Sequence, residues 1–570
     1  MALVPAWLRQ YRAGWLAGDL TAGLIVTVML IPQSLAYAML AGLPPQVGLY
    51  ASILPLVAYA ALGSSMTLAV GPVAVASLMT ASALQPLALA GSPEYAAMAV
   101  QLALISGVML LAFGVLRLGF LAYFLSHPVI SGFITGSAVL IAIGQLQYIL
   151  GVRIVGAGVM EKLTGLVTSW QHANLPTVVT GVATLVFLLL ARRAMAPLLE
   201  RWGVPASMAG LLAKLAPMVA VVVATAAVAI GRLDQTAGIA VVGAVPQGLP
   251  ALALVLPDAD TLGLLWLPAL LIALVGFVES VSVAQSLALQ RQQRIVPNRE
   301  LLGLGAANIA SAVSGGYPVT GGFARSVVNF AAGAHTPLAG VVSAALMALV
   351  IAAFTGLFFH LPHAVLAATI IVAVTSLVDL DTLRRAWRYD RADALSLVGT
   401  ALGVVVLGVE AGILAGVALS LGALVWRSSR PHMAVVGRVP GTEHFRNVLR
   451  HKVETVPGLL ALRVDESLFF ANAVVVEDRI GEQLQLDPGL HHVLLICSAV
   501  NQIDATALEV LTELERSLAA RGIVFLLAEV KGPVMDRLRT TDLGRRLEGR
   551  VFLSVHEAFL FARRRHAQAS

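Results

Sequence analysis

Two stretches decide how this chain folds: LAVGPVAVASLMT, Leu68 to Thr80, and GGYPVTGGFARSVVN, Gly315 to Asn329. Each starts as an extended segment, meets glycine and proline, and turns into a short helical run. Each follows an apolar span with one polar group at mid-depth, Gln33 in IPQSLAYA and Glu279 in FVESVSVA. Gln33 precedes Gly71 by 38 residues, and Glu279 precedes Gly321 by 42. The matched spacing implies two related halves. Paired short segments broken by Gly and Pro are the best sequence pointer to the binding site of a membrane carrier.

The physical reason is electrostatic. A helix that begins halfway through a bilayer leaves its first amides unpaired. Its dipole adds roughly half a positive charge at that end. Two such ends facing each other hold an anion without a metal, and glycine lets backbone approach the ligand. The candidate donors are the amides of Val73, Ala74 and Val75, opposed by those of Phe323, Ala324 and Arg325, with Gly322 beside them as a further binding-site residue. Arg325 would add a full charge. Gln33, Ser34 and Tyr37 on the first span, and Ser326 on the second short helix, offer side-chain donors. The bland alternative is a pair of kinked helices, since Gly and Pro are common in spans. In that reading Arg325 snorkels to an interface and Tyr37 packs between helices.

Glu279 sits in LPALLIALVGFVESVSVAQSLAL, a run otherwise without charge. A carboxylate at that depth is costly and marks ion or proton pathways. It either pairs with a cation such as Arg325 or takes a proton or Na⁺. Glu279 is therefore the candidate coupling-ion residue, with H⁺ expected and Na⁺ the alternative.

Working outward, the 570 residues are 58% hydrophobic and 12% charged, with a mean hydropathy of +0.87. Soluble domains carry roughly 25% charged residues, so the bilayer is the solvent for most of this chain. Fourteen segments read as membrane-embedded: 21–40, 46–62, 71–84, 96–116, 124–150, 174–191, 211–231, 262–289, 299–315, 321–332, 338–358, 363–378, 392–408 and 410–426. Seven per half would invert the repeat. With the N-terminus inside, the inner loops hold Arg9, Arg12, Arg117, Arg192, Arg193, Arg201, Lys214, Arg291, Arg294, Arg299, Arg384, Arg385, Arg388, Arg391, Arg427 and Arg430. The outer loops hold only Arg153, Lys162 and Arg232. That bias places both termini in the cytoplasm of a cell with the chain in its inner membrane. The net charge of +6 is explained by these loops and does not imply nucleic acid.

The expected division is 1–18, an interfacial or cytoplasmic segment with Trp7, Arg9, Tyr11, Arg12 and Trp15 read as a helix on the membrane surface; 19–430, the transmembrane part; and 431–570, a cytoplasmic domain. In the last, LLALRVD (Leu459–Asp465), HHVLLIC (His491–Cys497), IVFLLAEV (Ile523–Val530) and VFLSV (Val551–Val555) read as strands. Ala505–Ala520, capped by Asp504, and His556–Arg564 read as helices. Alternation of the two types predicts a small α/β domain. Cys497 is the lone cysteine, so no intrachain disulfide forms. No Cys/His cluster suggests a metal, no Walker-type loop suggests ATP, and no constellation suggests catalysis; the chain reads as a carrier and not an enzyme.

PPQVGLYASILPLVAYAALGSS (Pro44–Ser65) resembles the signature of the sulfate permease (SulP) family, and GPVAVAS and GGFARS stand where that family has its two half-helices. The tail resembles a STAS domain. The resemblance implies 7+7 inverted repeats, with spans 1–4 and 8–11 as a core moving elevator-fashion against a gate of spans 5–7 and 12–14. It implies a homodimer and a small inorganic or carboxylate anion as substrate, with a cytoplasmic protein partner for STAS as a further option. The expected function is proton-coupled sulfate uptake. The alternatives are a Na⁺-dependent bicarbonate carrier, an H⁺-coupled dicarboxylate carrier, or an anion exchanger. A membrane-anchored regulatory scaffold is disfavoured, because an anchor needs neither Glu279 nor broken helices. Two departures matter. Ala505 stands where STAS antagonists carry a phosphorylatable serine, leaving Thr506. Val283 stands one turn after Glu279, where Na⁺-dependent members carry a hydroxyl, which favours a proton.

Overall fold

The computed structural model describes residues 5–123, 126–152, 154, 159–375 and 377–569. Arg153 and residues 1–4 of the N-terminal segment lie outside these. The chain divides into two compact units, Met1–Ser420 and Leu421–Ser570.

The first unit is a bundle of apolar helices. Among the described residues eight are long and apolar enough to cross a bilayer, from Ala13–Leu40 to Val409–Ser429. The longest helix is Ala259–Gln290, 32 residues, capped by Asp258 accepting from the Thr261 amide. At 1.5 Å per residue it runs about 48 Å, well beyond a hydrocarbon core of about 30 Å. Ser92 and Asn174 cap Pro93–Val115 and Leu175–Arg201 in the same way, each followed by a proline in the first turn. Small residues let the helices touch, as they do in lipid-facing bundles. A Cβ on Gly305 would lie 2.9 Å from the Gly107 carbonyl oxygen, and one on Gly132 would lie 2.3 Å from that of Leu397.

The N-terminal segment differs from the expectation of one surface helix. It forms a short helix, Ala6–Arg9, and a 3-10 turn, Ala13–Trp15, and the long helix already starts at Leu16. Arg12 between them is extended. Trp7 is buried and its indole donates to the Ala60 carbonyl at 2.7 Å, which draws the segment onto protein. Asp19 is buried too, accepting from the His335 and Thr336 amides and the Thr336 hydroxyl.

Two short helices interrupt this pattern, Ala74–Leu84 (11 residues) and Phe323–Ala331 (9 residues). Each is preceded by a two-residue strand, β1 (Val70–Gly71) and β2 (Thr320–Gly321), and the two strands pair antiparallel, Val70 with Gly321 and Gly71 with Thr320. Extended backbone buried among apolar helices needs its polar groups satisfied internally. Asn308 does this for Val319, holding both its amide and its carbonyl at 2.9 Å. Ser280 accepts from the Gly321 amide at 2.9 Å, and the Gly322 amide reaches the Ala69 carbonyl at 3.0 Å.

The second unit is a six-stranded sheet in the order β4 (Phe445–Asn447), β3 (Met433–Arg438), β5 (Leu459–Val464), β6 (His492–Ile496), β7 (Val524–Ala528), β8 (Val551–Phe552). β5 to β8 run parallel, while β3 is antiparallel to both neighbours. β6, HVLLI, is buried along its whole length, as a central parallel strand must be. Asp504 accepts from the Ala507 amide at 2.8 Å and starts helix Ala505–Ala520, which buries Leu511, Leu514 and Leu518. Ala505 and Thr506 are exposed. Cys497 is buried, and that burial pushes its thiol up to about 12.

Candidate functional site

The two short helices begin where the strands pair. Val73 and Gly322 are their N-cap residues, both extended, and Ser77 and Ser326 make the first intrahelical bonds, back to Val73 and Gly322. Among the described residues no acceptor within the protein lies on the amides of Val73, Ala74, Val75, Phe323, Ala324 or Arg325. Two sets of first-turn donors therefore stand free beside one another, each at the positive end of a helix dipole.

Between them lies Arg325. It is 2% exposed, yet both terminal nitrogens, Nη1 and Nη2, are buried without an acceptor. Glycine makes the space: a Cβ on Gly71 would stand 3.2 Å from Nη1, and one on Gly322 2.9 Å from Nη2. Tyr37, Tyr317 and Glu279 lie within electrostatic reach of the guanidinium. Glu279 has its Oε2 buried and without a hydrogen bond, and no ion pair within 4 Å joins it to Arg325. An unpaired buried cation is among the most costly features a protein can retain. A ligand anion accepting from both nitrogens and from the free amides removes that cost.

The other expected residues divide. Tyr37 is buried beside Arg325, and Gln33 is half-buried on the same helix. Ser34 is fully buried and spends its proton on Ser52, whose own proton goes to the Gly48 carbonyl. Ser326 accepts from the Ala69 amide and donates to the Gly322 carbonyl. Both hydroxyls thus hold the scaffold. Phe323 and Ala324 are exposed, which leaves the second helix end open. Four contributors were missed by sequence reasoning. Tyr317 is fully buried with its hydroxyl 3.0 Å from Ser77 Oγ. Ser280 and Thr320 bond each other at 2.7 Å and pin β2. Asn329 Nδ2 donates to the Thr67 carbonyl, while its Oδ1 is unpartnered. The signal available was their position: Ser280 follows Glu279 directly, Asn329 lies one turn past Arg325, and Tyr317 and Thr320 stand in the extended stretch before the second short helix.

Fold and site together describe a class: a multi-pass membrane protein whose buried guanidinium and two open helix N-termini suit an anion. Comparison narrows the class. The family model described as the Sulfate permease family matches residues 16–400, and the STAS domain model matches 450–558. A probable sulfate transporter of Mycobacterium tuberculosis is 37% identical over 98% of this chain and 97% of its own length. A chloroplastic sulfate transporter of Arabidopsis thaliana is 35% identical over 91% and 76%. The murine Slc26a9 anion transporter in its inward-facing state is similar in fold, with TM-score 0.90 at 23% identity, covering 100% of this chain and 94% of that one. The transmembrane domain of a cyanobacterial bicarbonate transporter, BicA, matches at TM-score 0.61 and 24% identity, over 71% and 98%. The chain belongs to the sulfate permease family and carries a STAS domain.

Proposed function

We propose that this chain takes up sulfate, or an oxyanion of like size and charge, coupled to protons. The anion sits between the half-helix ends, held by Arg325 and the amides of Val73, Ala74, Val75, Phe323 and Ala324, with Gly322 giving access and Tyr37 and Gln33 at its side. Glu279 takes the coupling proton, because an ionised carboxylate beside a dianion would repel it. The reading further holds fourteen segments in two inverted sets of seven, an elevator movement of spans 1–4 and 8–11, a homodimer, and both termini in the cytoplasm of an inner membrane. The relatives named sulfate transporters, at 37% and 35% identity, support the choice of anion. The observation that carries the reading is the buried guanidinium with two nitrogens and no acceptor.

The experiment is labelled-anion uptake into proteoliposomes with sulfate, bicarbonate or fumarate under imposed pH or Na⁺ gradients. An inward proton gradient should drive sulfate accumulation, and Glu279→Gln should abolish accumulation while sparing exchange. Accumulation driven by Na⁺, or by a gradient in the Gln variant, sinks the proton-coupling assignment.

A further inference from the structure

The first half-helix, Ala74–Leu84, has a second end. At 1.5 Å per residue its 11 residues carry the chain about 16 Å away from the site. There the structure holds a cavity of about 630 Å³. The cavity is lined by the last turns of Leu16–Leu40 and His127–Leu150, by the far end of Ala74–Leu84, and by the turn that opens Val409–Ser429. One water needs only about 10–15 Å³ of such space, so there is ample room for a hydrated anion. Among the described residues its polar lining includes Ser82, Gln85, Gln145 and Gln147, with one cation, Lys162, and one carboxylate, Glu410. Lys162 belongs to Val159–Ser169, a short helix outside the long apolar set, and is half-buried. Leu78 and Ala81, which line the cavity, are one and two turns from Ala74, where the free amides stand.

We propose that this cavity is an outer capture site for the transported anion, in which Lys162 attracts and Glu410 repels. The proposal rests on the transport reading above and adds a route to it. Apolar walls focus the field of a charge into a cleft, raise the local concentration of an oppositely charged solute and quicken its arrival. The amides of Gln85, Gln145 and Gln147 replace water as donors while the anion passes inward. Glu410 limits how long a dianion stays, so that capture does not become trapping.

The test uses the full chain in cells, with sulfate uptake measured at low and high ionic strength set by potassium gluconate. Lys162→Gln should lower kcat/KM about threefold to tenfold at roughly 10 mM salt, where the screening length is about 30 Å. Glu410→Gln should raise it by a similar factor. Both should merge with the unsubstituted chain near 1 M salt, where screening falls to about 3 Å. Lys162→Cys adds a sidedness control, since Cys497 is buried and stays unmodified. A cationic, impermeant methanethiosulfonate reagent added outside should restore uptake, and an anionic one should lower it further. Shifts of the same sign in both variants, shifts that ignore salt, or no shift at all would overturn the capture site. If the unsubstituted chain moves no anion under any gradient, the transport reading fails instead, and the two failures are told apart by that control.

Discussion

Replacing Arg325 by methionine keeps the length of the side chain and removes its charge, and the structure predicts opposite effects with and without ligand. Nη1 and Nη2 have no acceptor in the protein. Each hydrogen bond to a charged group is worth about 1.5–3 kcal/mol, so two give about 3–6 kcal/mol. Stripping water from a dianion returns part of that, leaving about 2–4 kcal/mol, or about 30- to 1,000-fold in Kd. At a sulfate concentration 100 times the Kd, the unsubstituted chain gains about 2.7 kcal/mol against unfolding. Raising the Kd 30-fold cuts that gain to about 0.9 kcal/mol, and a 1,000-fold rise removes it. Without sulfate the sign reverses. An unpaired buried charge and its desolvation cost are gone, so the variant should melt at an equal or higher temperature. The assay is a melting curve of detergent-solubilised protein against sulfate concentration. A variant that melts higher in the absence of sulfate has folded, so a lost sulfate response then reports the site. Retention of the full sulfate-dependent shift in Arg325→Met would refute the reasoning.

Gly322→Val should raise KM for sulfate at least tenfold, since a Cβ there already meets Nη2 at 2.9 Å and must displace the guanidinium; uptake kinetics check it, and an unaltered KM removes Gly322 from the site. Cys497, with its thiol pushed up to about 12 by burial, should resist maleimide at pH 7 in the folded chain and react once denatured, as mass spectrometry would read. Burial acts to raise Asp465, but hydrogen bonds from Arg463 and His432 outweigh it and hold the carboxyl below its usual range. A depressed carboxyl contributes stability above its unfolded pKa near 4 that is lost as pH falls through the folded value. Acid titration of Asp465→Asn should therefore show a shallower loss of stability in the second unit below pH 4 than the parent chain, and parallel curves would contradict this.

Much of the arrangement was written in residue types with few alternative uses. Gly71, Pro72, Gly321 and Gly322 break two apolar runs, and only extended backbone followed by short helices accommodates them. Glu279 stood out because nothing else in its span is charged. The lack of a partner on Arg325 was not legible, because it depends on how far Glu279 lies across the bundle, and spacing along a chain does not measure that. Ser34 and Ser326 read as ligand donors because a hydroxyl in an apolar span has few other evident uses. The structure gives them backbone and Ser52 instead, since β1 and the short helix Pro45–Tyr50 need partners more than the open site does. Tyr317, Ser280 and Thr320 escaped notice for the converse reason, small polar residues being common wherever helices touch. In the second unit the central strands were plain from their unbroken Val, Leu and Ile. β3 and β4 were not: one follows directly on a helix, and the other has three residues. Helix Ala473–Leu486 was hidden by its β-branched opening, AVVVED.

The most direct test is a density map of the chain with selenate, a heavier stand-in for sulfate, recorded at the selenium edge. The account predicts one anomalous peak per chain, about 4 Å from the Arg325 guanidinium, with its oxygens about 3 Å from the first-turn amides of Ala74–Leu84 and Phe323–Ala331. A peak elsewhere in the membrane unit, with these amides and Arg325 left unliganded while the same preparation transports sulfate, would contradict it.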